Sequence, residues 1–272
     1  MKLTTLVLVL GLALAGLCTT YGWLANDDST NSLAQRISPP AGCKRMPVAK
    51  ESFAEWLRGL PLKPGCPPVH LYNGKKKGNQ TAHAAVFNID TGKRDLQQCA
   101  DAVIRLRAEY LYHRKRYADI HFNFTSGDRA SFTKWAEGYR ATVRGNRVSW
   151  RKSAKPDSTY PSFRKYLDLV FTYAGTASFC KEMHRVPAKD MQIGDVFIRG
   201  GSPGHAVIVV DMAVDARGKK FFLLAQSYMP AQDIHLLKNP NDARLNPWYA
   251  LDFGDTLYTP EWTFTAKELS RF

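Results

Sequence analysis

The chain has 272 residues, 44% of them hydrophobic, and carries 38 lysines and arginines against 24 aspartates and glutamates. That length suffices for one large domain with its own core. The formal charge of +14 points to anionic partners, yet no aromatic-interleaved RNA-binding pattern or zinc-finger spacing accompanies the basic runs at 75–77, 114–116 and 144–155, so nucleic acid is not an expected partner.

Lys2 followed by an apolar run over 3–18 reads as the charged and hydrophobic regions of an export signal, predicted over residues 1–25. Cleavage, lipidation and retention as an anchor all stay open. Leu17 precedes Cys18 where a lipoprotein needs a small residue, and apolar character continues through Trp23 and Leu24, long enough to span a bilayer. No second long apolar run follows, so the membrane is expected to be met only through this segment. The protein is therefore expected outside the cytoplasm, periplasmic or membrane-attached, among cell-wall or other envelope polymers.

Residues 26–47 are polar and aperiodic and read as a linker; residues 48–272 read as a single α+β domain. Ser52 caps a short helix to Leu60 with Phe53, Trp56 and Leu57 on one face. Strands are expected over 69–72 and 82–89. The strongest helix runs from Leu96 to Arg114, with Asp95 as N-cap, Gln98 completing a capping box, and Leu96, Cys99, Val103, Leu106 and Tyr110 as the buried stripe. A strand at 120–124 and helices at 131–140 and 160–174 follow. Three β-type runs, 195–198, 206–212 and 220–225, joined by Gly-rich turns, form an antiparallel meander placed after the helices, which is an α+β order. Cys43 and Cys66, both in Pro/Gly-rich surroundings, are candidates for a disulfide in an oxidising compartment.

One constellation carries chemistry. A thiol near a helix N-terminus has its thiolate favoured by the helix field, which Cys99 satisfies, and the amide of Gln98 beside it is a candidate oxyanion donor. His205, after the loop Arg199-Gly200-Gly201-Ser202-Pro203-Gly204, is the candidate base, and Gln226 at the end of the next strand is placed to orient its ring. His83, Asp211, Ser227 and Tyr228 are further candidates for the same cleft. A serine triad of Ser227, His205 and Asp211 lacks a GxSxG elbow, and no HExxH or His-x-His spacing calls for a metal, so neither a metal nor another cofactor is expected. Trp248, Tyr249, Trp262 and Phe264 read as packing onto the sheet, with a sugar-stacking platform as the alternative.

The stretch GDVFIRGGSPGHAVIVVDMAVDARGKKFFLLAQSY resembles the histidine half of the NlpC/P60 and CHAP superfamily, papain-like cysteine amidases and peptidases that mostly cut peptidoglycan peptides. The resemblance implies a papain-like fold with the Cys99 helix packed on an antiparallel sheet, Cys99 as nucleophile, His205 as base and Gln226 as the orienting group. The chain departs from that pattern in a long helical insert between Cys99 and His205 and in Ala100-Asp101-Ala102 after the cysteine. Over roughly 53–272 the chain more closely resembles an exported bacterial family, domain of unknown function 4846, through GKRDLQQCADAVIRLRAEYLY, FRKYLDLVFTYAGTASF, PGHAVIVVDMA and LLAQSYMPAQDIHLLKNP. Two functions stay open: a thiol hydrolase of envelope amide bonds, or a non-catalytic module in which Cys99 is a buried apolar residue and the cleft binds an anionic glycan or a protein.

Overall fold

The computed structural model describes residues 31–272; the predicted export segment lies outside them. In chain order the helices are α1 (Leu33–Arg36), α2 (Phe53–Arg58), α3 (Cys99–His113), α4 (Phe132–Ala136), α5 (Tyr160–Tyr173) and α6 (Thr176–Glu182). The strands are β1 (Cys43–Arg45), β2 (His83–Val86), β3 (His121–Asn123), β4 (Arg129–Ser131), β5 (Tyr139–Arg144), β6 (Arg147–Lys152), β7 (His184–Arg185) and β8 (Val196–Arg199). After them come β9 (His205–Asp215), β10 (Lys220–Gln226), β11 (His235–Leu237), β12 (Tyr249–Ala250), β13 (Thr256–Tyr258), β14 (Thr263–Thr265) and β15 (Leu269–Arg271).

A nine-stranded sheet in the order β2-β11-β10-β9-β8-β15-β7, with β1 added to β9 and β12 to β10, organises the protein. Every pairing in it is antiparallel. The architecture is mixed α+β on an antiparallel sheet, as the meander at 195–225 implies. β9 is the spine: Val207, Val209 and Met212 join one apolar cluster, Ala206, Ile208 and Val210 the other, so the strand is buried on both faces. α3 packs directly across β9. Apart from Arg107 and His113, every residue of α3 is buried. The single stripe expected from its periodicity is thus an underestimate, because α2, α6 and side chains of α4 and α5 also pack against the helix.

Several expectations are corrected. The 26–47 linker holds regular structure from residue 33 on: α1 packs Leu33 into the core, and β1 pairs with β9 from Cys43 opposite Asp215 to Arg45 opposite Ala213. The 69–72 strand is reduced to isolated bridges of His70 with Lys76 and Leu71 with Gln232. The 131–140 helix stops at Ala136, since Gly138 at φ +98° turns the chain into the β5–β6 hairpin that takes up much of the basic run after Arg140. Among the described residues Cys43 and Cys66 are both free thiols, one on a sheet-paired strand and the other exposed in the turn after Pro64; no bond joins them. The short helix capped by Ser52 is as expected, with the hydroxyl accepting from Glu55 N–H at 3.1 Å.

Candidate active site

The main helix begins later than its capping pattern suggests. Gln98, not Asp95, is the N-cap, because its own backbone N–H donates to the Asp101 carboxylate at 3.1 Å. Asp95 instead accepts from the Gln98 side-chain amide at 3.1 Å and from Ala231 N–H at 2.6 Å, tying the helix entrance to the loop after β10. The shift puts Cys99 at the first helical position. There its N–H and that of Ala100 have no intrahelical acceptor and the partial positive charge of the helix end is strongest.

Opposite this helix end the sheet delivers His205. The loop before it approaches its surroundings so closely that a Cβ on Gly204 would lie 2.3 Å from Thr176 Oγ1 and 2.5 Å from Gly201 O, so only glycine fits. Cys99, His205, Gln98, Asp101, Tyr228 and Trp262 line one cleft of about 410 Å³. The rings of Tyr228 and Trp262 stand 4.6 and 5.1 Å from the imidazole, and Phe264 stacks on it at 5.9 Å. Packed this way, His205 is 1% exposed and its rotation is confined.

The hydrogen bonds assign its tautomer. His205 Nε2 lies 2.8 Å from Gln226 Oε1, and the Gln226 nitrogen faces Glu261 Oε2 at 2.9 Å and His235 Nε2 at 3.3 Å. His235 donates from Nδ1 to Asp233 O at 2.9 Å, so its Nε2 is an acceptor. Both amide hydrogens of Gln226 are therefore spoken for, its oxygen must face His205, and His205 carries its proton on Nε2. Nδ1 is left as the basic lone pair. Glu261 is in turn held by the Lys77 ammonium and by Asn79 Nδ2 at 3.1 Å.

Burial sets the charge states. It pushes the Cys99 thiol up to about 11; the N–H of Ala100 and that of Ala206, the residue after His205, partly offset this, while Asp101 adds to it. Burial pulls His205 down to about 4, against the bond to Gln226, and His235 down to about 3. Burial likewise raises Asp101 to about 8. The cleft thus holds a neutral thiol and a neutral imidazole.

The other candidates separate. Tyr228 belongs to the cleft. Ser227 does not act as a nucleophile: it is fully buried and its hydroxyl bridges Gln97 O and Gln232 O at 3.0 and 2.9 Å. Asp211 is also fully buried but ion-paired to Arg45 and Arg58 at 2.7 and 2.5 Å, fastening β1 and α2 to β9 instead of reaching His205. His83 bonds Pro67 O at 3.0 Å and packs 6.1 Å from the ring of His235, behind the cleft and not in it. Trp248 and Tyr249 are core, whereas Trp262 is a cleft wall. Glu261, Lys77 and Asp101 are site residues that the sequence does not announce; the nearest signal is an acidic residue inside the aromatic segment TPEWTF. Among the described residues no group of three or more His, Cys, Asp or Glu side chains is arranged to hold a metal, and no helix is long and apolar enough to cross a membrane.

Fold and site together define a mixed α+β protein in which a cysteine at a helix N-terminus shares a cleft with a glutamine-bonded histidine at the start of a central strand of an antiparallel sheet. The chain belongs to the family described as Domain of unknown function (4846), whose model matches residues 33–271. No curated protein and no solved structure matches it.

Proposed function

We propose that the protein is a cysteine-dependent amidase or peptidase of papain-like type, working outside the cytoplasm on peptide-like amide bonds of an envelope polymer. The observation that carries this reading is the His205–Gln226 bond, which fixes the imidazole with Nδ1 unprotonated in the cleft that Cys99 lines. Nδ1 takes the proton of Cys99 Sγ as the sulfur attacks the scissile carbonyl. The oxyanion that forms is met by the N–H groups of Cys99 and Ala100, assisted by the Gln98 amide. His205 then returns the proton to the leaving amine, giving a thioester, and water activated by the same nitrogen releases the acid. Because burial disfavours both charged forms, proton transfer accompanies substrate binding and does not precede it.

A second reading rests on that same burial. A thiol raised to about 11 suits a structural cysteine in a cleft that only binds a polymer or partner. Turnover separates the two. Purified protein incubated with isolated cell-wall material is expected to release new amino termini, with Cys99→Ala and His205→Ala each lowering the rate at least about 100-fold. Release that is unchanged in Cys99→Ala, or absent from the unmodified protein while binding persists, gives the cleft to the binding module.

A further inference from the structure

A second cavity, of about 190 Å³, opens beside the cleft, and Phe171 lines both. Its wall is formed by the Thr91-Gly92-Lys93-Arg94 turn, by Gln97, and by Arg164 and Lys165 of α5. The turn depends on Gly92 at φ +85°. Beneath it, Arg105 is fully buried and binds Asp90 Oδ1 at 2.7 Å and Gln97 Oε1 at 2.5 Å, so the turn and the Gln97 side chain rest on a rigid base.

The charge around the cavity is mostly positive: Lys93, Arg94, Arg164 and Lys165 line it against the one carboxylate of Asp168. Gln97 is 1% exposed, its oxygen is taken by Arg105, and among the described residues its Nε2 has no partner. Thr91 Oγ1 is likewise buried without one. At the rim, Lys93 and Lys165 form no ion pair among the described residues, and Arg94 has only a long contact of 3.9 Å with Asp168. Unpaired buried polar groups are costly and call for a complement. The cations of the lining and the Gln97 amide donor together match an acceptor-rich, negatively charged group.

We infer that this cavity is an oxyanion subsite, which takes a carboxylate or phosphate carried by the molecule whose neighbouring part occupies the Cys99 cleft. Gln97 precedes Cys99 by two positions, so their Cα atoms lie within about 7 Å of each other. On an extended peptide, which advances about 3.3 Å per residue, the anion therefore sits within a few residues of the scissile amide. The catalytic role of the cleft rests on the hydrolase reading; the anion site itself does not.

The test uses full-length Cys99→Ala protein, so that nothing depends on turnover. Inorganic phosphate and N-acetylglutamate are each titrated while the Gln97 side-chain amide and the Gly92 N–H are followed by nitrogen-15 NMR. Saturable shifts of these resonances are expected, with affinity falling at least tenfold in Lys93→Gln/Arg94→Gln, whose side chains are exposed. Binding of phosphate alone assigns a phosphorylated polymer, and binding of both admits an acidic peptide. Absence of shifts, or shifts equal in the double variant, overturns the subsite. With Cys99 restored, the double variant should raise KM about tenfold for peptides with a carboxylate within a few residues of the scissile bond and leave neutral peptides unchanged. Turnover with no such difference also overturns the subsite. Anion binding without any turnover by the unmodified protein overturns the hydrolase reading and leaves the subsite standing.

Discussion

The protonation state of the cysteine–histidine pair has a direct kinetic signature. Burial moves the Cys99 thiol from an ordinary 9.0 to about 11 and His205 from 6.5 to about 4. A raised thiol loses its proton only as pH climbs through the raised value; a depressed imidazole is neutral at any pH above its own. A thiol two units above its ordinary value holds about 100-fold less thiolate at neutral pH. Each thiolate is a better nucleophile by about six- to tenfold, from a Brønsted slope of roughly 0.4–0.5. The net expectation is exchange with an aromatic disulfide about tenfold slower than for an unperturbed thiol, before any steric protection. Rates are read for Cys99 by peptide mass spectrometry between about pH 5 and pH 10, with exposed Cys66 as internal comparison. The slope is the decisive quantity, since steric protection lowers the rate without altering it. The logarithm of the rate should rise about one unit per pH unit from pH 7 upward. A rate that is flat from about pH 5 to pH 9 signals a preformed thiolate–imidazolium pair and refutes the neutral assignment.

Other outcomes follow from the same geometry. If Gln226 holds the imidazole tautomer, Gln226→Ala should lower kcat about 100-fold with KM little changed. Glu261→Gln, which keeps the shape but frees the amide to reorient, should cost less and shift the acid limb of the kcat–pH profile; an unmoved profile removes Glu261 from the site. His205 and His235 are neutral in the fold and take up protons when unfolded. Stability is thus complete above about pH 6.5 and falls as pH drops toward 4 and 3, by about 2 kcal/mol per histidine at pH 5. A urea midpoint equal at pH 7.5 and pH 5 contradicts this. Asp101 behaves in the opposite sense: raised to about 8, it is least costly below its unfolded value near 4 and destabilises as pH rises through 8. Asp101→Asn, whose amide oxygen still accepts from Gln98 N–H, should therefore raise the midpoint at pH 8.5 and leave it nearly unchanged at pH 4.

Much of the fold was legible because its signals are local. Ser52 as a cap, the β8–β9–β10 runs and the 160–173 helix each declare themselves within a dozen residues. The Gln98–Cys99, His205 and Gln226 pattern was legible for a different reason: each sits where a local motif ends, at a helix start or a strand terminus. What sequence reasoning misread was decided by competition between local and distant partners. Asp95 has the residue type of an N-cap, but Ala231 N–H and the Gln98 amide claim its carboxylate, and Asp101 is left to close the helix start. Asp211 reads as a third triad member only until Arg45 and Arg58 arrive from the N-terminal segment.

Glu261 shows why no local pattern finds the outer part of the site. It lies between β13 and β14, a two-stranded hairpin that is separate from the main sheet, yet Gln226 donates to it at 2.9 Å and Lys77 is ion-paired to it from the opposite end of the chain. The neighbouring Trp262 meanwhile covers the His205 ring. One short hairpin therefore supplies both the acceptor that orients Gln226 and part of the wall that dehydrates His205. Moving it would loosen the imidazole and readmit water together, raising the depressed pKa of His205 as its orientation is lost. A cleft whose base strength and base geometry depend on the same segment can change both when a ligand displaces that segment.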